Sequence, residues 1–152
     1  MAEVLKAGTA HVYCTDIADY GYPLDHILDF TSTRNPEFPF DAIITNPPGG
    51  KRNRTAESFI DSGLRRIARG GLLALLLSTD FDSAATRRRF FHDCPLFCAR
   101  IVLTKRIVWF ERGDGEREAP KENYAWYVWQ RSVLHIQTPP VTLYAPITTD
   151  ER

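Results

Sequence analysis

A chain of 152 residues that is 43% hydrophobic, 25% charged and 12% aromatic has the make-up of one folded domain and excludes a disordered or fibrous polymer. Its 19 basic and 19 acidic side chains cancel, so no global field gathers nucleic acid and any polyanion site must be local. The longest apolar run, at 72–77, is far shorter than the roughly 20 residues of a membrane span, Met1-Ala2-Glu3 has no leader pattern, and Cys14, Cys94 and Cys98 form no secretory framework, which predicts a cytoplasmic protein with reduced thiols and no membrane partner.

In chain order, residues 2–6 read as the end of a helix closed by Gly8. Residues 11–16 are β-branched and aromatic enough for a strand ending in Asp16, and 27–30 for a second ending at Asp29-Phe30. A proline-containing loop leads to a third strand, Phe40–Thr45, which must stop at Asn46-Pro47-Pro48 because two prolines remove two ladder donors. A basic, glycine-containing loop follows, with Thr55 as helix cap. The next helix, at 56–68, has Phe59, Ile60, Leu64, Ile67 and Ala68 on its apolar face, leaves Arg65, Arg66 and Arg69 mostly outside, and ends at Gly70-Gly71.

The apolar run at 72–77 is a strand covered on both faces, followed by Ser78-Thr79-Asp80. Residues 83–91 read as a short amphipathic helix carrying Arg87, Arg88 and Arg89. Cys94 and Cys98, with Pro95 between them and only His92 close by, read as a buried thiol pair rather than a zinc site. Residues 101–103 and 107–110 predict one strand or two joined pieces, 111–123 a solvent loop, and 124–129 a bulky strand that is either central or interfacial. The segment 139–152 is a C-terminal tail that need not be regular, beyond a core over 1–138. This order predicts an α/β sheet, mostly parallel with an antiparallel C-terminal pair.

Sheets of this kind bind ligands at the C-terminal ends of their strands, where Asp16, Asp29 and Asn46 fall. A carboxylate there accepts hydrogen bonds from ribose hydroxyls, and an acid-aromatic pair suits an amine on a flat ring. Asn46 offers a side-chain oxygen next to a backbone carbonyl held stiff by proline, two acceptors that can orient an uncharged NH2 group. The plainer reading of Asn-Pro-Pro is a strand-ending turn. Lys51, Arg52 and Arg54 beyond it suit phosphate, and Arg87, Arg88 and Arg89 form a second basic cluster that suits it less well.

The combination of Asp16, Asp29-Phe30, Asn46-Pro47-Pro48, Ala56-Glu57-Ser58-Phe59-Ile60, Phe90-Phe91 and Asn123-Tyr124-Ala125-Trp126 resembles the adenine-specific DNA methyltransferase family, class I S-adenosylmethionine-dependent enzymes, in its small phage-type form. The resemblance runs from Val12 to Trp129. It implies a Rossmann-like methyltransferase sheet with S-adenosylmethionine as cofactor and DNA as partner. Asn46, Pro47 and Pro48 would be catalytic, Asp16 with Ile17 would hold the ribose, and Asp29 with Phe30 the adenine of the cofactor.

Two departures accompany it. Gly49 stands where the family has an aromatic residue stacked on the target base, and the family's first strand and glycine-rich turn have no counterpart ahead of residues 2–6. The reading is therefore of a member truncated at its N-terminus, lacking the usual first strand, impaired or inactive as it stands, and dimeric through exposed sheet edges. A protein-glutamine methyltransferase and a non-catalytic, self-associating remnant are the competing readings.

Overall fold

The computed structural model describes residues 1–8, 11–32, 39–107, 122–133 and 139–146. The chain divides into two compact units, Met1–Glu37 and Phe38–Arg152.

In the second unit the sequence 67–78 is apolar enough to be covered from both sides, and it forms the long strand β4, Ile67–Ser78. Leu73, Leu75 and Leu77 join the main core, while Ala74 and Leu76 alternate to the opposite face and are buried there too. β4 pairs in parallel with β3, Phe40–Thr45, the connection between them being helix α2, Arg54–Arg66. On its other side β4 pairs antiparallel with β6, Tyr124–Gln130, which also pairs antiparallel with β5, Phe97–Val102. β7, Val141–Tyr144, lies parallel to β5 and completes the order β3-β4-β6-β5-β7. Four strands therefore run one way and β6 alone runs against them.

Bulky residues at 124–129 belong to a central strand because both faces of β6 have something to pack against. Tyr127 and Trp129 are fully buried, and Phe91 and Phe97 meet them with ring centroids 5.4–6.4 Å apart. The Trp129 indole N–H donates to the Phe90 carbonyl at 2.7 Å, which satisfies the ring's one polar atom inside the core.

Several expectations change. The helix at 56–68 begins at Arg54 behind Asn53 instead of at a Thr55 cap, and ends at Arg66, after which the chain enters β4 directly. Gly70 and Gly71 lie inside that strand. They belong to a bulge: Phe40 stands opposite Ile67 but Ala42 opposite Leu72, so four residues of β4 are matched by one of β3. Gly70 has φ +87°, and a Cβ on Gly71 would sit 2.8 Å from the Phe40 carbonyl oxygen, so both positions require glycine. Arg66, placed outside the helix's apolar face by its charge, is buried with its guanidinium donating to the Ser62 carbonyl.

The amphipathic helix expected at 83–91 is instead two 3-10 turns, Phe81–Ser83 and Ala85–Phe90, separated by extended Ala84. The tail, which need not be regular from its sequence, contributes β7, whose four residues pair with the edge that β5 leaves open. Cys94 and Cys98 are half-buried free thiols, and burial pushes the Cys98 thiol up. The expected continuation of a strand through 108–110 and most of the solvent loop lie outside the described residues.

The first unit holds α1, Ala2–Gly8, and a parallel pair of two-residue strands, β1, Thr15–Asp16, and β2, His26–Ile27. Both strands are shorter than the sequence suggests because side chains take over ladder roles. The Asp25 carboxylate accepts from the Cys14 N–H at 2.7 Å, and Asp29 closes a turn on Thr31 directly after β2. Glu3 and Lys6 of α1 both bond the Tyr22 hydroxyl. Among the described residues no helix is long and apolar enough to cross a membrane.

Candidate functional site

β3 stops at Thr45, opposite Leu75, so Asn46-Pro47-Pro48 leaves the sheet alongside the last residues of β4. Pro47 is buried and Asn46 is exposed. Pro48 holds Pro47 to extended backbone, which presets the carbonyl between them. The Asn46 carboxamide has no hydrogen-bond partner among the described residues, so both its oxygen and its NH2 group remain available.

Gly49, where an aromatic residue is expected from the resemblance, is the position at which the chain folds back on Asn53. A Cβ there would meet the Asn53 Oδ1 at 2.8 Å. Gly50 has φ +66°, and Arg52 and Asn53 are both left-handed, at φ 56° and 61°. Non-glycine residues reach this region at a cost of about 1–2 kcal/mol each. The loop then enters α2 with no side-chain cap on its first turn. Lys51, Arg52 and Arg54 surround a cavity of about 190 Å3 and make no ion pair among the described residues.

A second cavity of about 210 Å3 opens at the end of β4, lined by Ser78, Thr79, Asp80, Glu122 and Asn123. Ser78-Thr79-Asp80 bounds a strand in the sequence, and a polar tripeptide directly after a fully apolar run signals a strand end that faces water. Behind it the Tyr127 hydroxyl lies 3.1 Å from the Ser78 carbonyl, 3.2 Å from that of Thr79 and 3.3 Å from the Asp82 carboxylate. Arg100 donates to the Thr79 carbonyl at 2.6 Å and reaches Asp82 at 3.5 Å. Burial, reinforced by Asp82, pushes the Tyr127 phenol well above its ordinary range, so this hydroxyl is a fixed neutral anchor for the turn at 78–82.

In the first unit Asp16 and Asp29 lie at the same end of the parallel pair: Asp16 closes β1 and Asp29 follows β2 by two residues. Asp16 is exposed, and its Oδ1 accepts from the neighbouring Ile17 N–H at 2.7 Å. Asp29 Oδ1 accepts from the Thr31 hydroxyl at 2.7 Å and the Thr31 N–H at 2.8 Å, which holds its carboxyl below the usual carboxylate range. Asp29 is thus in a turn, not on a strand, with half-buried Phe30 beside it.

No protein-family model and no curated protein matches the chain. Among solved structures, a Listeria monocytogenes protein assigned to the class I S-adenosylmethionine-dependent methyltransferases superposes with a TM-score of 0.59 at 14% identity, over 94% of this chain and 52% of that one. The fold is class I methyltransferase-like. A complex of M1.HpyAVI with SAM matches at a TM-score of 0.37 and 16% identity, over 76% of this chain and 61% of that one, a superposition too loose to inform the fold. The chain spans about half the length of the Listeria protein.

Asp16 keeps Oδ2 without a partner among the described residues, and the bonds from Thr31 favour the ionised form of Asp29. Neither cavity approaches the roughly 300–1,000 Å3 of a pocket that encloses a whole small-molecule ligand.

Proposed function

We propose that this chain transfers a methyl group from S-adenosylmethionine to the exocyclic amine of adenine in DNA. The observation that carries the reading is the exposed, unpartnered Asn46 carboxamide on a proline-stiffened strand end of a class I methyltransferase-like sheet. Asn46 Oδ1 accepts one amine hydrogen and the Pro47 carbonyl accepts the other, so the nitrogen lone pair is turned away from both. Pro48 keeps the two acceptors in register, and no strong base is needed before attack. Asp16 with Ile17 holds the ribose of the cofactor, and Asp29 with Phe30 its adenine. S-adenosylmethionine, when bound, supplies the electrophilic methyl group.

An adenine inside a duplex must leave the stack to reach such acceptors. Gly49 gives the extruded base no ring to stack on, and base stacking is worth about 1–3 kcal/mol. Capture of the base is accordingly weak, and single-stranded or mismatched DNA is the better substrate.

Incorporation of labelled methyl groups into unmethylated oligonucleotides is the direct test. The wild-type chain is expected to exceed the Asn46→Ala variant about 100-fold, the scale of losing a positioning contact. Equal incorporation by the two overturns the assignment. Calorimetry with S-adenosylhomocysteine reads the cofactor residues without turnover: Asp16→Ala is expected to weaken binding at least tenfold, and unchanged affinity removes Asp16 from the site.

A further inference from the structure

The arginines of the second unit are largely committed. Arg87 pairs with Glu57 at 3.2 Å, Arg88 with Asp93 at 2.9 Å, Arg89 with Asp61 at 3.0 Å and Arg100 with Asp82 at 3.5 Å. Lys51, Arg52 and Arg54 are the exception: all three are exposed, none meets a carboxylate among the described residues, and together they line one cavity. Three like charges around a concavity repel one another. An anion inside the cavity would relieve the repulsion.

We propose that Lys51, Arg52 and Arg54 form a phosphate-binding site that takes a single phosphodiester of a nucleic-acid strand. Arg presents planar forks to phosphate oxygens and Lys a point charge, and the volume of about 190 Å3 admits one phosphate with part of its sugar but not a nucleotide cofactor. The site begins five residues after Asn46, so the phosphate it holds is one next to the base that Asn46 reads. That last step rests on the methyltransferase reading, whereas binding of the phosphate does not. Such contacts fix position and carry no sequence preference.

The test is fluorescence anisotropy with a labelled single-stranded oligonucleotide at several salt concentrations, in the absence of cofactor. Wild type, R88Q and the combined K51Q/R52Q/R54Q chain are compared, and circular dichroism establishes that each is folded. The combined substitution is expected to weaken binding at least tenfold and to lower the slope of log K against log salt by about 0.7, the value for one phosphate on a single strand. R88Q, at an arginine paired with Asp93 outside the cavity, should leave both unchanged.

Competition separates the sources of phosphate. Displacement of the oligonucleotide by inorganic phosphate only at far higher concentration identifies a strand backbone, while equal affinity for inorganic phosphate alone identifies a free anion; both support the cavity as a phosphate site. Undiminished binding by K51Q/R52Q/R54Q, or binding of a Gly-Gly-Gln peptide in place of the oligonucleotide, overturns it. Absence of methyl incorporation by the wild-type chain with this binding intact bears on the proposed reaction alone, so the two readings fail separately.

Discussion

The loop at 50–54 and the turn at 87–89 each carry three cations, and the fold uses them in opposite ways. Arg87 and Arg89 reach back to Glu57 and Asp61 of α2 and clamp the Ala85–Phe90 turn against the helix, and Arg87 and Arg89 also lie over the rings of Phe81 and Phe90 at 4.2 and 4.1 Å. Lys51, Arg52 and Arg54 have no such counterparts among the described residues. Charge density in a sequence therefore says little about role; the position of the nearest carboxylate decides whether a cation holds the protein together or remains available to a ligand.

The comparison can be broken most forcefully at Trp129, whose indole ties the 85–90 turn to the core through the Phe90 carbonyl. Trp129→Ala should cost about 3–5 kcal/mol in urea unfolding and free the amides of that turn to exchange. A loss below about 1 kcal/mol would mean that the turn is held by other contacts. Arg87→Ala comes next. It removes the bond to the Phe81 carbonyl at 2.7 Å and leaves Glu57 partly buried without its partner, for an expected loss of about 1.5–3 kcal/mol by the same measurement.

Tyr127→Phe is smaller, about 1 kcal/mol, since one neutral hydroxyl is lost. It has a pH signature. The folded state keeps the Tyr127 proton more tightly than the unfolded chain does, so that stability is fully present below about pH 10 and is lost as the pH rises beyond it. The Phe variant should show a shallower alkaline decline, and an identical decline would show that Tyr127 is not the residue responsible. R52Q, taken alone, should change stability by no more than about 0.5 kcal/mol, as expected of an exposed cation without a partner; a larger loss would place Arg52 with the structural arginines.

The smallest effect is at Asp29, on the surface of the first unit. Its bonds from Thr31 favour the ionised form, so their contribution is present above the unfolded value near 3.9 and disappears as the pH falls through the lower folded value. Nuclear magnetic resonance of the Asp29 carboxyl should give a midpoint below the ordinary one, raised part of the way by Thr31→Val, which removes the hydroxyl bond and keeps that of the Thr31 N–H. A midpoint already ordinary in the wild type would remove the turn bonds as its cause.

The strands at 40–45, 72–77 and 124–129 were legible because apolar and β-branched residues at strand length leave few alternatives, and Asn46-Pro47-Pro48 was legible as a strand end because proline cannot continue a ladder. Gly70-Gly71 misled because glycine serves equally to end a helix and to absorb a bulge, and only the partner strand distinguishes the two. The partners of Arg87 and Arg89 lie 30 and 28 residues earlier in the chain, beyond the reach of local pattern. Asp29 was correctly seen as an acid near a strand end, but the turn it makes with Thr31 competes with the strand that was expected to contain it. The cavity beyond β4 required the pairing of Ser78 with Tyr124, which places Glu122 and Asn123 beside residues more than 40 positions away in sequence.

The reversed strand β6 also governs the order in which the sheet can assemble. β4 and β5 never touch each other; each meets only β6, which begins at Tyr124. During synthesis β3, β4 and β5 must wait, with β4 unsatisfied along one side, until that segment leaves the ribosome and slides between β4 and β5, and β7 joins the edge of β5 after it. Long-range closure of this kind is slow and leaves sticky strands uncovered in the interval. Nascent chains stalled before Tyr124 should therefore be the ones that chaperones retain and that aggregate when released.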